Sequence, residues 1–323
     1  MNLSLPTTCY LLPTVIAYFL DLIFGDPQWR WHPVRLIGKL IEILEKRLNT
    51  NNFNRLIAGG VLVITVTTVV VLWVYFSLEL ARLINPIFYL AISSLYIYFA
   101  LSIKDLAVQL NNVYLALKNK DKDKASKSLS LIVGRDTEKL SESEIIRASV
   151  ETAAESTMDG IIAPLFFAFL GGPVLVWAYK TVNTLDSMVG YKNEKFMEFG
   201  RASAKIDGLL NLIPSRLTCF FINISCLFSG KNLINSIKWG LKYLFKGPDG
   251  NSEATEAAMA GALGIKLGGV NFYNSVPTQK AYIGDSIYPL STKHIKESIR
   301  ITYTASILFV ITGIFLIIIF GRR

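Results

Sequence analysis

Apolar runs alternate with polar stretches along the whole chain, and their lengths predict most of its elements. Residues 3–24 are apolar apart from Asp21 and read as a first membrane-spanning helix, with Pro6 and Pro13 placed to kink or delay it. Residues 36–48 alternate apolar and charged faces (Leu36, Leu40, Ile43, Leu44, Arg47), the pattern of an amphipathic helix. Residues 56–78 and 83–103 are uncharged and long enough to cross a bilayer. Only Glu79 to Arg82 separates them, which predicts a tight hairpin turn there.

The stretch 104–159 is polar. Val108, Leu110, Val113, Leu115 and Leu117 mark a helix, and N-K-D-K-D-K at 119–124 a solvated turn. A second helix runs through Leu131 and ends at Gly134. The run L-S-E-S-E then starts a third with a capping serine. Residues 161–179 are apolar but hold Pro164 and Gly171-Gly172-Pro173, and 209–229 are interrupted by Pro214 and Arg216. From 246 to 269 a turn leads into a helix of small residues, with turns and short extended pieces as far as Asp285. Residues 301–321 form a last spanning helix. The fold class expected is all-α: a single polytopic membrane domain over 1–323 with four to six membrane segments, some re-entrant, and cytoplasmic helical regions at 104–160 and 231–300.

Composition agrees. Hydrophobic residues make up 52% and the mean hydropathy is +0.42, too apolar for an ordinary soluble domain. The net charge of +9 reads as positive charge on cytoplasmic loops rather than as a nucleic-acid footprint. Residues 26–55 carry six Lys/Arg against three acids, and 231–300 nine against five, so both belong on the cytoplasmic side. It follows that 161–179 and 209–229 either both span or both re-enter. Re-entry keeps every polar cluster on one side and is the favoured arrangement. Arg322 and Arg323 would then lie outside, against the charge rule. Cys9, Cys219 and Cys226 show no paired spacing, and two histidines exclude a histidine-rich metal centre. The N-terminus lacks the basic start and small-residue cleavage site of a removable signal.

Candidate chemistry lies in three groups of acids and amides. Arg147, Glu151, Glu155 and Asp159 recur every four residues and would form one stripe on a helix. Three like charges in a row weaken a helix, so a metal, a cationic ligand or distant basic residues must offset them. Asn183 and Asp186 form the second group. Asp249, Asn251, Glu253 and Glu256 form the third, on one side of a helix if it begins early. Hard oxygen ligands suit Mg²⁺ bridging carboxylates and phosphates, with Arg135, Arg147, Arg201 and Lys205 as counter-charges. Ion pairs lining a polar vestibule are the plainer account of any one group; three groups beside apolar segments favour a site. The turn G-D-P-Q-W-R-W-H-P-V-R at 25–35 reads as an aromatic anchor at the membrane interface, or as a site mouth carrying Asp26, His32 and Arg35; its local pattern favours the anchor. Nucleotide-binding glycine loops and a nucleophile elbow are absent.

Taken together, G-D-P with H-P-V at 25–34, V-G-R-D-T from Val133, E-T-x-x-E-S-x-x-D-G at 151–160, N-T-x-D-S-M-V-G-Y at 183–191 and G-P-D-G-N-S-E from Gly247 resemble the cobalamin-biosynthesis membrane proteins called CbiB in one pathway and CobD in another. The motifs keep the expected order across nearly the whole chain. The resemblance implies a multi-pass inner-membrane ligase. It would join aminopropanol phosphate, or free aminopropanol, to propionate side chain f of adenosylcobyric acid, with ATP consumed, and it allows a complex with other late corrinoid enzymes. Activating a carboxylate for amide formation calls for Mg²⁺, phosphate-binding cations and a base. The residues expected to supply them are Glu151, Glu155, Asp159 and Asp249 for Mg²⁺ and Arg135 and Arg147 for phosphate. Asn183, Asn251 and His32 would touch substrate, and Glu155, Asp186 and Glu253 would act in catalysis. A polytopic Mg²⁺-dependent prenyltransferase is the alternative, though a second aspartate-rich motif is not evident. A transporter would carry acids in 56–78 and 83–103, which have none.

Overall fold

The computed structural model describes residues 8–27, 29–50, 54–191, 193–273 and 275–320, without the side chains of Thr8, Cys9 and Asp249. Pro6, Cys9, Arg322 and Arg323 therefore fall outside the description. In chain order the helices are α1 (Thr8–Phe24), α2 (Pro33–Leu48), α3 (Arg55–Ile84), α4 (Pro86–Tyr98), α5 (Ile103–Lys118), α6 (Lys122–Ser130) and α7 (Glu142–Thr157). A π-helical turn, Met158–Ile162, joins α7 to α8 (Ala163–Val189). Then come α9 (Arg201–Leu210), α10 (Leu212–Ser229), α11 (Leu233–Leu244), a 3₁₀ turn Pro248–Gly250, and α12 (Asn251–Leu263). Strands β1 (Leu267–Tyr273) and β2 (Val276–Ile283) and helix α13 (Lys293–Phe320) complete the chain. The protein is an all-α polytopic membrane protein. Among the described residues five helical stretches are long and apolar enough to cross a bilayer: Arg55–Ile84, Pro86–Lys118, Glu142–Val189, Leu212–Ser229 and Lys293–Phe320.

Where the sequence points to one domain, the chain forms two compact units interleaved in sequence. The first comprises Met1–Ser102, Ala163–Asn211 and Thr312–Arg323; the second comprises Ile103–Ile162 and Leu212–Ile311. Both polar regions, 104–160 and 231–300, fall within the second.

In the first unit α3 packs on α2, α4, α8 and α9, and α1 lies against α4 and α8. Asn54 caps α3, its side chain accepting from the amides of Leu56 (3.1 Å) and Ile57 (3.3 Å). The turn expected at 79–82 lies instead at Asn85. Glu79 and Arg82 remain inside α3 as an i,i+3 pair 3.8 Å apart. Asn85 is fully extended before Pro86 and accepts from the Phe88 amide at 2.7 Å. A capping asparagine followed by proline stops a helix; a short charged run merely coats one. The expected break at Gly171-Gly172 is real. Gly171 and Gly172 leave helical geometry, and Gly172 takes φ +63°, where a Cβ would meet the Tyr10 ring at 2.4 Å.

The second unit is built around α12. From Ala254 to Leu263 every residue of α12 is buried, and apart from Thr255 and Glu256 they are all apolar, most of them small. Its alanines let α7, α10, α11 and the β1–β2 hairpin pack against it. Cys219, Ile222 and Cys226 of α10, Tyr243 of α11, and Val150 and Ala154 of α7 complete this core. Helix α5 buries Ile103, Leu106, Leu110, Val113, Ala116 and Leu117, while Val108 and Leu115 face outward, so its core stripe differs from the expected one by two positions. The 119–124 turn is shorter than expected, because Asp121 accepts from the Lys124 amide at 2.9 Å and starts α6 at Lys122. Ser141 and Glu144 form the expected capping box on α7. The extended pieces before Asp285 prove to be a regular antiparallel hairpin, with one irregularity between Leu267 and Gly269.

Candidate functional site

The second unit gathers most of the predicted residues. On α7, Arg147 and Glu151 are both buried, and the hairpin accounts for it. Arg147 donates to the carbonyls of Gly268 and Val270 (3.0 Å for the latter) and to Asn271 Oδ1 (3.1 Å). It also stands 3.6 Å from Glu151 Oε1. Glu151 accepts the Gly268 amide at 2.9 Å and pairs with Arg135 through its other oxygen. Arg135 reaches Asn271 Oδ1 as well. The V-G-R-D-T loop thus clasps the hairpin, aided by Asp136, whose amide donates to Phe272 O (2.9 Å) and whose carboxylate accepts from the Ser275 amide (2.7 Å). Two guanidiniums offset Glu151; this is how the acidic stripe is tolerated.

The stripe itself is shorter than the spacing implies. Glu155 is exposed and accepts from Ser252 Oγ at 3.4 Å. Asp159 lies on the π-helical turn, where i→i+5 bonding rotates it off the α-helical register. Among the described residues no three acids, histidines or cysteines are grouped to hold a metal ion. The side chain of Asp249 lies outside the description. Of the four expected metal ligands, Glu151 has its oxygens engaged by Arg135, Arg147 and Gly268. Glu155 is the hard-oxygen group left open to solvent. Mg²⁺ commonly takes one or two carboxylates with substrate phosphates, and Glu155 fits that use.

Glu256, on α12, is 1% exposed. Its Oε1 stands 3.7 Å from Lys280 Nζ of β2, and its Oε2 has no hydrogen-bond partner among the described residues. Burial pushes its pKa up to about 8. Lys280 opposes that rise, Glu151 and Glu155 add to it, and Arg135 opposes it. Lys280 is in turn held above the ordinary lysine range by Glu256. Asn271 is equally buried. Both arginines donate to its Oδ1, so its Nδ2 points away from them, and that nitrogen too has no partner among the described residues. A buried acceptor and a buried donor, each unfilled, sit among three carboxylates and three cations. Such atoms are costly unless something binds them.

The other predicted residues of this unit have structural partners. Asn251 is buried, and its Oδ1 accepts from Ser215 Oγ (3.0 Å) and Arg216 Nη1 (2.5 Å). Arg216 also donates to Leu244 O at 2.6 Å, tying α10 to the end of α11. α12 begins early, at Asn251, so Glu253 and Glu256 fall three residues apart on it as expected, but Glu253 is partly exposed and pairs with Lys246 at 2.8 Å.

His32, Asn183 and Asp186 belong to the first unit and are described there by themselves. His32 is buried, 2.8 Å from Asp26 and edge-on to Phe99. The Tyr98 hydroxyl donates to Gly25 O, so the G-D-P turn is locked from below. Asn183 donates to Asp207 Oδ1 at 3.3 Å. Asp207 also accepts from Asn211 (3.0 Å), which accepts from the Tyr179 hydroxyl (3.1 Å). Asp186 folds over the last turn of α8 against Gly190. Arg201 and Lys205 are exposed on α9.

Sequence reading passed over Asn271 and Lys280, which carry no motif, and gave Glu256 no role of its own. It also missed Asp207; the one available signal was its four-residue spacing from Asn211.

Comparison with known proteins agrees with these motifs. The family described as CobD/Cbib protein matches residues 14–302. A Clostridium perfringens protein named "Cobalamin biosynthesis protein CobD" is 46% identical over 280 residues, 85% of this chain and 88% of its own. A Geobacter metallireducens protein of the same name is 42% identical, covering 91% of this chain and 93% of its own. A Salmonella typhi "Cobalamin biosynthesis protein CbiB" is 42% identical over 92% and 94%. No solved structure matches.

Proposed function

The chain belongs to the CobD/CbiB family of cobalamin-biosynthesis proteins, and from that premise we propose that it is an adenosylcobinamide-phosphate synthase. In this reading it joins adenosylcobyric acid, at propionate side chain f, to aminopropanol phosphate or aminopropanol, with ATP consumed. The observation that carries the reading is Glu256: a buried carboxylate poised near neutrality, with one oxygen unfilled, beside Lys280 and below the hairpin.

The chemistry runs in two steps. A propionate oxygen takes the terminal phosphoryl group of ATP, breaking a P–O bond and releasing ADP. The amine nitrogen then attacks the carbonyl carbon. The C–N bond forms, the C–O bond to phosphate breaks, and phosphate leaves with the electron pair. The nitrogen must lose a proton, and a base with a pKa near the working pH is best placed to take it; Glu256 Oε2 is that base. Lys280 steadies the carboxylate and offers positive charge to phosphate. Asn271 Nδ2 donates to a substrate oxygen. Mg²⁺, when bound with phosphate oxygens at Glu155, would neutralise developing negative charge. Arg135 and Arg147 hold the hairpin over the cluster, since their donors are already engaged. In this reading the enzyme works in the inner membrane and residues 231–300, with their excess of Lys and Arg, face the cytoplasm.

The test uses purified protein in detergent with adenosylcobyric acid, ATP and aminopropanol phosphate, following amide product and ADP by mass spectrometry. Glu155→Gln should lower amide synthesis by about tenfold or more, a cost typical of losing one charge-stabilising group, with the melting temperature unchanged. Absence of product with either amine refutes the function. Near-normal rates in both Glu155→Gln and Asp249→Asn refute the assignment of these acids.

A further inference from the structure

Helix α11 is built inside out for a water-facing helix. Large apolar residues at Ile234, Ile237 and Leu241, continued by Phe245 just past its C-terminus, form one stripe at helical spacing, and they are 81%, 38%, 52% and 86% exposed. The face it buries carries the small and polar residues Asn235, Ser236 and Gly240 beside the aromatic Tyr243. Asn235 donates to Gly261 O at 3.2 Å, Ser236 donates to Ala258 O at 2.8 Å, and Gly240 lies against Ala258. A helix at a water boundary would show the opposite arrangement.

The charges follow the same logic. The segment 231–246 holds Lys231, Lys238, Lys242 and Lys246 and no acid. Lys238 and Lys242 fall along one edge of the apolar stripe, and Lys242 lies 4.6 Å over the Trp239 ring. Lys238 has Asp285 at 3.4 Å, but both side chains are well exposed, so that pair is weak and the lysine stays available. Helix α10, an apolar helix long enough to span, ends at Ser229, four residues before α11 begins.

We propose that α11 lies in the plane of the bilayer interface, its Ile234–Phe245 stripe sunk among the upper acyl chains and its lysine edge against anionic headgroups. Buried apolar area and electrostatic attraction to anionic lipid are the two terms that bind such helices. The partner is a lipid surface; a second protein copy would not require the one-sided lysine edge. Because α12 packs directly on the polar face of α11, this contact fixes the depth at which the core helix of the unit is held.

The test labels Leu241→Cys with an environment-sensitive fluorophore in full-length protein reconstituted into vesicles. Unsubstituted protein is treated in parallel to subtract labelling at native cysteines. One set of vesicles is phosphatidylcholine alone; the other contains about 30% phosphatidylglycerol, enough to give a negative surface. Brominated acyl chains should quench the label at least about twice as strongly as aqueous iodide, the outcome for a side chain at the acyl boundary. Anionic lipid should shift its emission further to the blue, and Lys238→Gln with Lys242→Gln should remove that shift. Dominant quenching by iodide overturns the proposal, because the stripe then faces water. Protection from both quenchers overturns it too, because protein then covers the stripe. Persistence of the anionic shift in the double lysine variant removes the headgroup contact. None of these readouts depends on amide synthesis.

Discussion

Replacing Arg147 separates an architectural arginine from a substrate-binding one. Its guanidinium donates to two β1 carbonyls and to Asn271 Oδ1, and stands beside Glu151. Arg147→Met keeps the length and apolar bulk but takes the donor from two carbonyls and one of the two positive neighbours from the buried Glu151 carboxylate, which keeps the Gly268 amide and Arg135. Each hydrogen bond to a charged group contributes about 1.5–3 kcal/mol, but the terms share one network and do not add. Breaking a buried ion pair from one side typically costs about 3–5 kcal/mol, which is the better figure for the whole change. At roughly 2–4 °C per kcal/mol for units of this size, the melting temperature should fall by about 6–20 °C. Arg147→Lys keeps the charge without the fork and should lie between. The assay is thermal unfolding in detergent beside amide-synthesis kinetics with aminopropanol phosphate. A melting temperature within about 2 °C of the parent, with KM for the phosphorylated amine raised about tenfold (1.4 kcal/mol of binding), would refute the reasoning and return Arg147 to the phosphate site.

Two further predictions concern stability. Glu256 has a folded pKa of about 8 against 4.5 for the free group, so the folded state binds the extra proton between those values. Stability should therefore decline as pH rises from about 5 to 8, and Glu256→Gln should flatten that decline in melting temperature; parallel slopes would show that Glu256 is not the titrating group. At Gly261 an added Cβ would lie 2.4 Å from Asn235 O, backbone that cannot step aside. Gly261→Ala should cost about 1–3 kcal/mol. Gly60→Ala meets nothing within 4 Å and should be neutral or slightly stabilising, so equal melting temperatures for the two variants would refute the packing of α11 on α12.

Much was legible along the chain because bilayer length, capping and glycine breaks are local constraints. The spanning stretches, the Ser141–Glu144 box, the break at Gly171-Gly172 and the small-residue helix after Gly247 all follow from neighbours in sequence. Order and spacing of the motifs also carried the family. The turn at Asn85 was legible too, but a charged run nearby outweighed the asparagine–proline stop in the reading.

What a side chain touches was another matter. Periodicity put Arg147, Glu151, Glu155 and Asp159 on one stripe, yet their environments diverge: two are buried against a distant hairpin, one is solvent-facing, and one is turned by a π-helical bond pattern. Asn271 and Lys280 acquire meaning only once β1 and β2 fold back over α7 and α12. Their partners lie more than a hundred residues away for Arg147 and Asn271, and two dozen for Lys280 and Glu256. The chain by itself determined that acids and cations are present in the right kinds, because composition is read one residue at a time. Only tertiary packing decided which carboxylate is offset, which is exposed and which is buried with an oxygen unfilled, because desolvation depends on everything that surrounds a group in space.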